Sequence, residues 1–267
     1  MTTISLSRPT AASRIVRYSA VVLAVGQAVS TLVFDRFATA PLASGEEYSP
    51  IVPPEPMFAI WGIIITASIV WSIVAARPST LGDETRDALS GPLVLAFAGF
   101  SLWLAAASAG QTSPFTLGAF ALLLTGLLTA MARAVRRRDA IAAWPAWERR
   151  LLGLLLGVYT GWASVAVFVN IATVTQSLGA PPAGARGAVW QSLVLLAAAW
   201  TAVAIARLSR GSIWYAATAS YALTGVAISA ATFDYPLLAA LAVAAVAVIA
   251  VTTVLVRRAD RRPVPRS

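Results

Sequence analysis

Hydrophobic positions along this 267-residue chain gather into eight long runs, nearly free of charge and separated by short polar connectors. The runs cover residues 18–34, 57–76, 93–110, 115–134, 151–175, 188–206, 212–232 and 237–256. Most approach the ~20 residues that an α-helix needs to cross the hydrocarbon core of a bilayer. In lipid every backbone donor and acceptor must be satisfied within the protein, which makes the helix the natural element for such runs. The pattern predicts an all-α fold, a polytopic integral membrane bundle of about eight transmembrane helices. Its short connectors imply antiparallel neighbours.

Two runs carry more than apolarity. The run 57–76 is approached through Pro50, Pro53, Pro54 and Pro56. Proline fixes φ and removes a donor, so this segment reads as a stiff, semi-extended loop ending where a helix opens. Inside the run, Phe58, Trp61, Ile65, Ser68 and Ser72 recur at threes and fours and share one face. An aromatic pair beneath a rigid loop suggests the mouth of a pocket; the same rings also fit an interfacial aromatic belt. In the run 151–175, Tyr159, Trp162, Ala166, Asn170 and Thr173 lie on one stripe. There the rings offer flat faces, Ala166 leaves room, and the Asn170 amide needs hydrogen bonds from the bundle or from a ligand. Packing between helices is the alternative reading of that stripe.

Composition narrows the chemistry. The chain is 58% hydrophobic and only 12% charged, which belongs to the membrane class. It has no lysine, histidine or cysteine, so the net charge of +9 rests on arginine alone. Disulfides, thiol chemistry, histidine ligation and histidine acid–base catalysis are removed together. The runs also lack the mid-membrane ionisable groups that mark ion and proton routes. These absences argue against an ion pump and against most hydrolases.

Arginine placement predicts orientation rather than a nucleic-acid partner. It concentrates in the N-terminal segment, the connector 133–150, the turn 207–211 and the tail, while the intervening connectors hold little. That alternation predicts a multi-pass protein of the cell membrane with both termini cytoplasmic. The connector 133–150 has a second reading as an anionic-lipid patch. Ala38-Thr39-Ala40 offers a small-residue cleavage pattern, although Asp35-Arg36 separates it from the first run. The run is therefore read as a retained span, with a signal peptide as the alternative.

Pro53-Pro54 followed by Phe58 and Trp61, and then Tyr159, Trp162, Ala166 and Asn170 on a later helix, resemble the TspO/MBR translocator family. These are the tryptophan-rich sensory proteins. The resemblance covers roughly residues 15–176 and implies a TspO-like five-helix ligand-binding unit at 1–176. Three additional helices would follow at 177–256, then a basic cytoplasmic tail at 257–267. Ser220-Tyr221-Ala222-Leu223 resembles a segment of the longer bacterial members. The resemblance implies a pocket lined by Pro53, Pro54, Phe58, Trp61, Trp103, Tyr159, Trp162, Ala166 and Asn170. It further implies a planar apolar ligand, a tetrapyrrole such as a porphyrin or a lipid, with no required cofactor. A receptor, sensor or transport role and a homodimer belong to the same expectation.

Ile65 and Phe100 stand where the family often has Tyr and Asn. Two other functional classes stay open. A membrane enzyme acting on a lipid or isoprenoid would draw on Glu46, Glu47, Glu55 and Asp234, and a structural subunit would use the aromatic stripes for packing. Trp144, within the arginine-rich connector, is expected to lie away from the pocket.

Overall fold

The computed structural model describes residues 10–37, 49–110 and 113–260, and all regular structure among them is helical. The cleavage pattern at 38–40, Glu46, Glu47 and the tail beyond residue 260 lie outside the described residues. In chain order the helices are α1 (Ala11–Phe37), α2 (Ile60–Ala75), α3 (Glu84–Ala109), α4 (Phe115–Arg136), α5 (Arg138–Ala142), α6 (Ala146–Ser177), α7 (Gly184–Leu208), α8 (Ile213–Thr232) and α9 (Pro236–Asp260). Turns of 3₁₀ helix at Glu55–Ala59 and Pro78–Thr80 flank α2.

Among the described residues seven helices are long and apolar enough to cross a membrane: α1, α2 with its preceding turn, α3, α4, α6, α7 and α9. The chain is thus an all-α polytopic membrane bundle. The predicted run 212–232 also folds, as α8, but it is not among the seven. Tyrosine, tryptophan, serine and threonine dilute its apolarity, and half of its residues are buried.

The described chain forms two compact units. One combines the described residues within 1–42 and 59–156; the other combines those within 43–58 and 157–267. Helix α6 contributes to both.

In the first unit α1 packs on α2 and α3, and α3 packs on α4. The α3–α4 contact is backbone to backbone at Gly126. A methyl group there would meet the Pro92 carbonyl oxygen at 2.5 Å and the Ala96 nitrogen at 2.6 Å. Small residues permit this approach, which is how helices gain packing contacts inside a membrane.

The connector 77–92 is corrected here. The sequence suggests a loop up to Pro92, but α3 begins at Glu84 and runs through that proline. Asp83 caps the helix, its carboxylate accepting from the backbone nitrogens of Thr85 at 2.9 Å and Arg86 at 3.0 Å. Pro92 has no N–H to offer the carbonyl of Ala88, and an orphaned carbonyl is what makes interior proline costly. Arg133 of α4 supplies the missing donor, its Nη1 lying 2.7 Å from the Ala88 oxygen.

Charges also enter the interior at one end of this unit. Arg86, only 6% exposed, pairs with Asp83 and with Glu148 at the start of α6. Arg77 pairs with the same Glu148 at 2.6 Å. Arg17 of α1 is buried too: its Nε meets Asp87 at 2.6 Å, and its terminal nitrogens donate to the carbonyls of Ala75, Thr80 and Asp83. Trp144 completes the cluster. Rather than lying loose in a charged connector, it is buried, with Nε1 donating to Asp83 at 3.2 Å. Its ring stacks beneath Arg86 at 3.9 Å and tilts against Trp71 at 5.7 Å.

In the second unit α7 and α8 pack on α9. The proline-rich segment belongs here: Ser49 donates to Gln191 at 3.1 Å, and Gln191 donates to the Pro182 carbonyl at 3.1 Å. Ile51 and Val52 are buried beside it in sequence.

Breaking the charge cluster supplies a test of the fold. Removing one member of a buried pair strands its partner, a loss of ~3–5 kcal/mol. Glu148→Leu leaves both Arg86 and Arg77 short of an acid and should lower the unfolding midpoint in detergent sharply. Asp139→Leu, on an exposed residue, should leave it nearly unchanged. Equal midpoints for the two variants would show that the cluster does not hold the unit together.

Candidate aromatic binding site

One ring cluster of the first unit joins α2, α3 and α4. Trp61 on α2 stacks against Trp103 on α3, with centroids 5.8 Å apart and planes 28° apart. Phe100 tilts against Trp61 at 4.8 Å, and Phe120 of α4 meets Trp103 edge-on at 5.5 Å. Phe100 and Phe120 are buried, whereas Trp61 and Trp103 are half-buried. Two buried phenyl rings thus back a pair of indoles that keep part of their surface open. Such ring pairs contribute on the order of 0.5–1.5 kcal/mol each beyond the area that they bury.

A second cluster lies in the other unit. Phe58 meets Trp162 of α6 edge-to-face at 5.3 Å, and Trp162 sits 6.3 Å from Tyr221 of α8. The Tyr221 hydroxyl donates to the Met57 carbonyl at 3.2 Å, tying α8 to the 3₁₀ turn that carries Phe58. That turn opens where the Met57 nitrogen donates to the Pro54 carbonyl at 3.0 Å. Gly225, one helical turn beyond Tyr221, makes room for it. A methyl at Gly225 would lie 2.5 Å from Met57 Sδ and 2.8 Å from Pro53 Cβ.

The remaining predicted residues have distinct surroundings. Tyr159 is fully buried in α6. Asn170 donates to the carbonyl of Ala166 at 2.8 Å, so the stripe's amide is partly satisfied by its own helix. Thr173 does the same with Val169 at 3.1 Å. Ser164 is a polar group shared between helices, its hydroxyl lying 3.1 Å from that of buried Tyr215 on α8.

Among the predicted residues the structure brings Phe58 to Trp162 and Trp61 to Trp103. It adds Tyr221, Met57, Phe100 and Phe120, which periodicity did not single out. Tyr221 had a signal, because it falls in the segment that resembles the longer bacterial members. Phe100 had one as well, since it replaces an expected amide with a ring. Phe120 had none: one phenylalanine in an apolar run is unremarkable until its neighbours are known. Glu55 and Asp234 are both exposed.

Comparison with known proteins gives one match. The family model described as TSPO-like protein matches residues 14–255 of the chain. No curated protein and no solved structure matches it. The match runs through α7 and α8 into α9, well past residue 176.

The contact at Gly225 is testable. Met57 can swing aside from an added side chain, but buried Pro53 cannot, and overpacking of this kind costs ~1–3 kcal/mol. Gly225→Val should lower the unfolding midpoint, while Gly118→Val, with nothing within 4 Å of the added Cβ, should have little effect. A Gly225→Val midpoint no lower than that of Gly118→Val would remove the close packing of the proline segment on α8.

Proposed function

The chain belongs to the TSPO-like family, and from that premise we infer that it is a receptor, sensor or transport protein for a planar apolar ligand. The ligand class is a tetrapyrrole or a similarly flat lipid. One observation carries the reading: Trp61 and Trp103 lie nearly parallel, backed by buried Phe100 and Phe120, yet remain half-buried themselves. A rigid indole pair with surface to spare suits an extended π-system, which stacks with an offset and gains by leaving water or lipid. Phe58, Trp162 and Tyr221 supply a second aromatic surface, and Tyr159, Ala166 and Asn170 continue the Trp162 helix in this reading.

Binding through ring faces has a chemical consequence. The sequence has no histidine or cysteine to ligate iron, so stacking and apolar burial carry the affinity. Metal-free protoporphyrin IX should bind purified protein about as tightly as haem, read by quenching of tryptophan fluorescence. Trp61→Ala and Trp162→Ala should each weaken binding by roughly tenfold. Trp200→Ala should not, because Trp200 is 76% exposed on α7. Trp200 is the proper control, since buried Trp144 belongs to the charge cluster. Identical titration curves for all three variants and the parent would reduce the ring clusters to packing.

The same reading places the protein in the cell membrane as a multi-pass chain with both termini cytoplasmic, a homodimer without a nucleic-acid partner. Its support is the concentration of arginine at alternate connectors. The native chain has no cysteine, so each introduced thiol is a unique probe. In intact cells Ala183→Cys should react with an impermeant maleimide, while Ala140→Cys and Ala259→Cys should not. Labelling of Ala259→Cys together with protection of Ala140→Cys would show that α8 does not cross, and would put the C-terminus outside.

A further inference from the structure

Several arginines of the first unit are committed to partners within it. Arg17, Arg77 and Arg86 are spent on Asp87, Glu148 and Asp83, a local balance of three cations against three acids. Arg133 and Arg149 are spent on backbone carbonyls, Ala88 for the first and Ala142 and Trp144 for the second. Arg136, Arg137 and Arg150 are different: all three are exposed, and none has a carboxylate within ion-pairing distance among the described residues.

These three flank one connector, at the end of α4 and the start of α6. The connector is a built platform. The short helix α5 follows α4 directly, the Trp144 side chain is buried, and Arg149 clips the backbone at two carbonyls. Beside it Trp147 is 48% exposed, with the Arg77 guanidinium 5.4 Å from its ring. An indole half in and half out of a protein at a span end is the side chain that settles at the lipid headgroup level.

We propose that this connector binds the phosphate headgroups of anionic phospholipids through Arg136, Arg137 and Arg150, with Trp147 as the interfacial anchor. Topology alone accounts for positive charge at this end, yet it does not require a braced backbone or three cations without internal acids. Guanidinium matches phosphate by paired N–H donors in a fixed fork, and a headgroup is the anion always present at this depth. A headgroup also brings acyl chains beside Trp147, which a soluble phosphate does not.

The test uses the full chain in phosphatidylcholine-containing micelles, with phosphatidylglycerol added in steps. Phosphatidylglycerol should raise the unfolding midpoint of the parent. The variant R136Q/R137Q/R150Q should lose most of that rise, and its apparent affinity for phosphatidylglycerol should fall roughly a hundredfold, given the energy of each basic residue near an anionic surface. R207Q/R258Q removes exposed arginines elsewhere and should keep most of the rise. Equal losses in the two variants, or a full rise in R136Q/R137Q/R150Q, would overturn the proposal. So would an equal rise produced by glycerol phosphate without acyl chains. Should the triple variant fail to fold, salt decides on the parent alone. The rise should vanish at about 0.5 M salt, where charges are screened within a few ångströms, and its persistence there would be decisive against the site.

Discussion

Charge that is carried below the surface must be neutralised where it lies, and this requirement fixes the end of the first unit. An uncompensated buried guanidinium is costly enough to exclude a conformation, so Arg17 and Arg86 dictate what surrounds them. Arg17 gathers the end of α2, the following turn and the start of α3 through Ala75, Thr80, Asp83 and Asp87. Arg86 gathers the cap of α3, the start of α6 and the Trp144 ring. The end of α2 and the starts of α3 and α6 are thereby held by contacts that tolerate little displacement. The apolar remainder of the helices has no such preference, because lipid and leucine are alike to it. Directional contacts at the ends, and close approach at sites such as Gly126, choose among packings that apolarity leaves equivalent.

The aromatic clusters work from the same logic on a smaller scale. Each depends on a residue that holds the rings rather than forming them. Phe100 and Phe120 are buried and back the indole pair in the first unit. In the second unit the Tyr221 hydroxyl holds the Met57 carbonyl, and Gly225 admits Pro53 and Met57. Rings that are held this way keep little side-chain freedom of their own.

The helical fold was legible because lipid imposes a length and a composition that any long apolar run displays. Seven predicted spans coincide with helices of spanning character, and their arginine-rich connectors stand where charge could be read directly. What could not be read were departures from local rules that a distant residue repairs. Pro92 looks like a helix boundary until Arg133 is found serving the Ala88 carbonyl. Trp144 looks like a surface residue until Asp83 and Arg86 enclose it. In each case the repairing partner lies about 41 to 61 positions away in sequence, and periodicity carries no information at that range. Of the candidate site, the ring-bearing helices were legible from Phe58, Trp61, Tyr159 and Trp162. The bond from the Asn170 amide to Ala166 of its own helix was not legible, because a stripe shows which face a side chain shares and not which way its amide turns.

Helix α8 shows how a membrane protein can use a helix that is less apolar than its neighbours. Its Tyr215 meets Ser164 and its Tyr221 meets Met57, so two hydroxyls that dilute its apolarity find partners inside the same unit. A hydroxyl facing hydrocarbon would lack that compensation and would cost free energy. The polar residues that weaken α8 as a span therefore strengthen its packing within this unit. They also specify its rotation, because a turn of about 100° would carry both hydroxyls away from their partners. The proline segment 49–58 belongs to this unit, and the family match continues through α8 and into α9. Helices beyond residue 176 thus participate in holding the segment that carries Pro53, Pro54 and Phe58, through Gln191 on α7 and Tyr221 and Gly225 on α8.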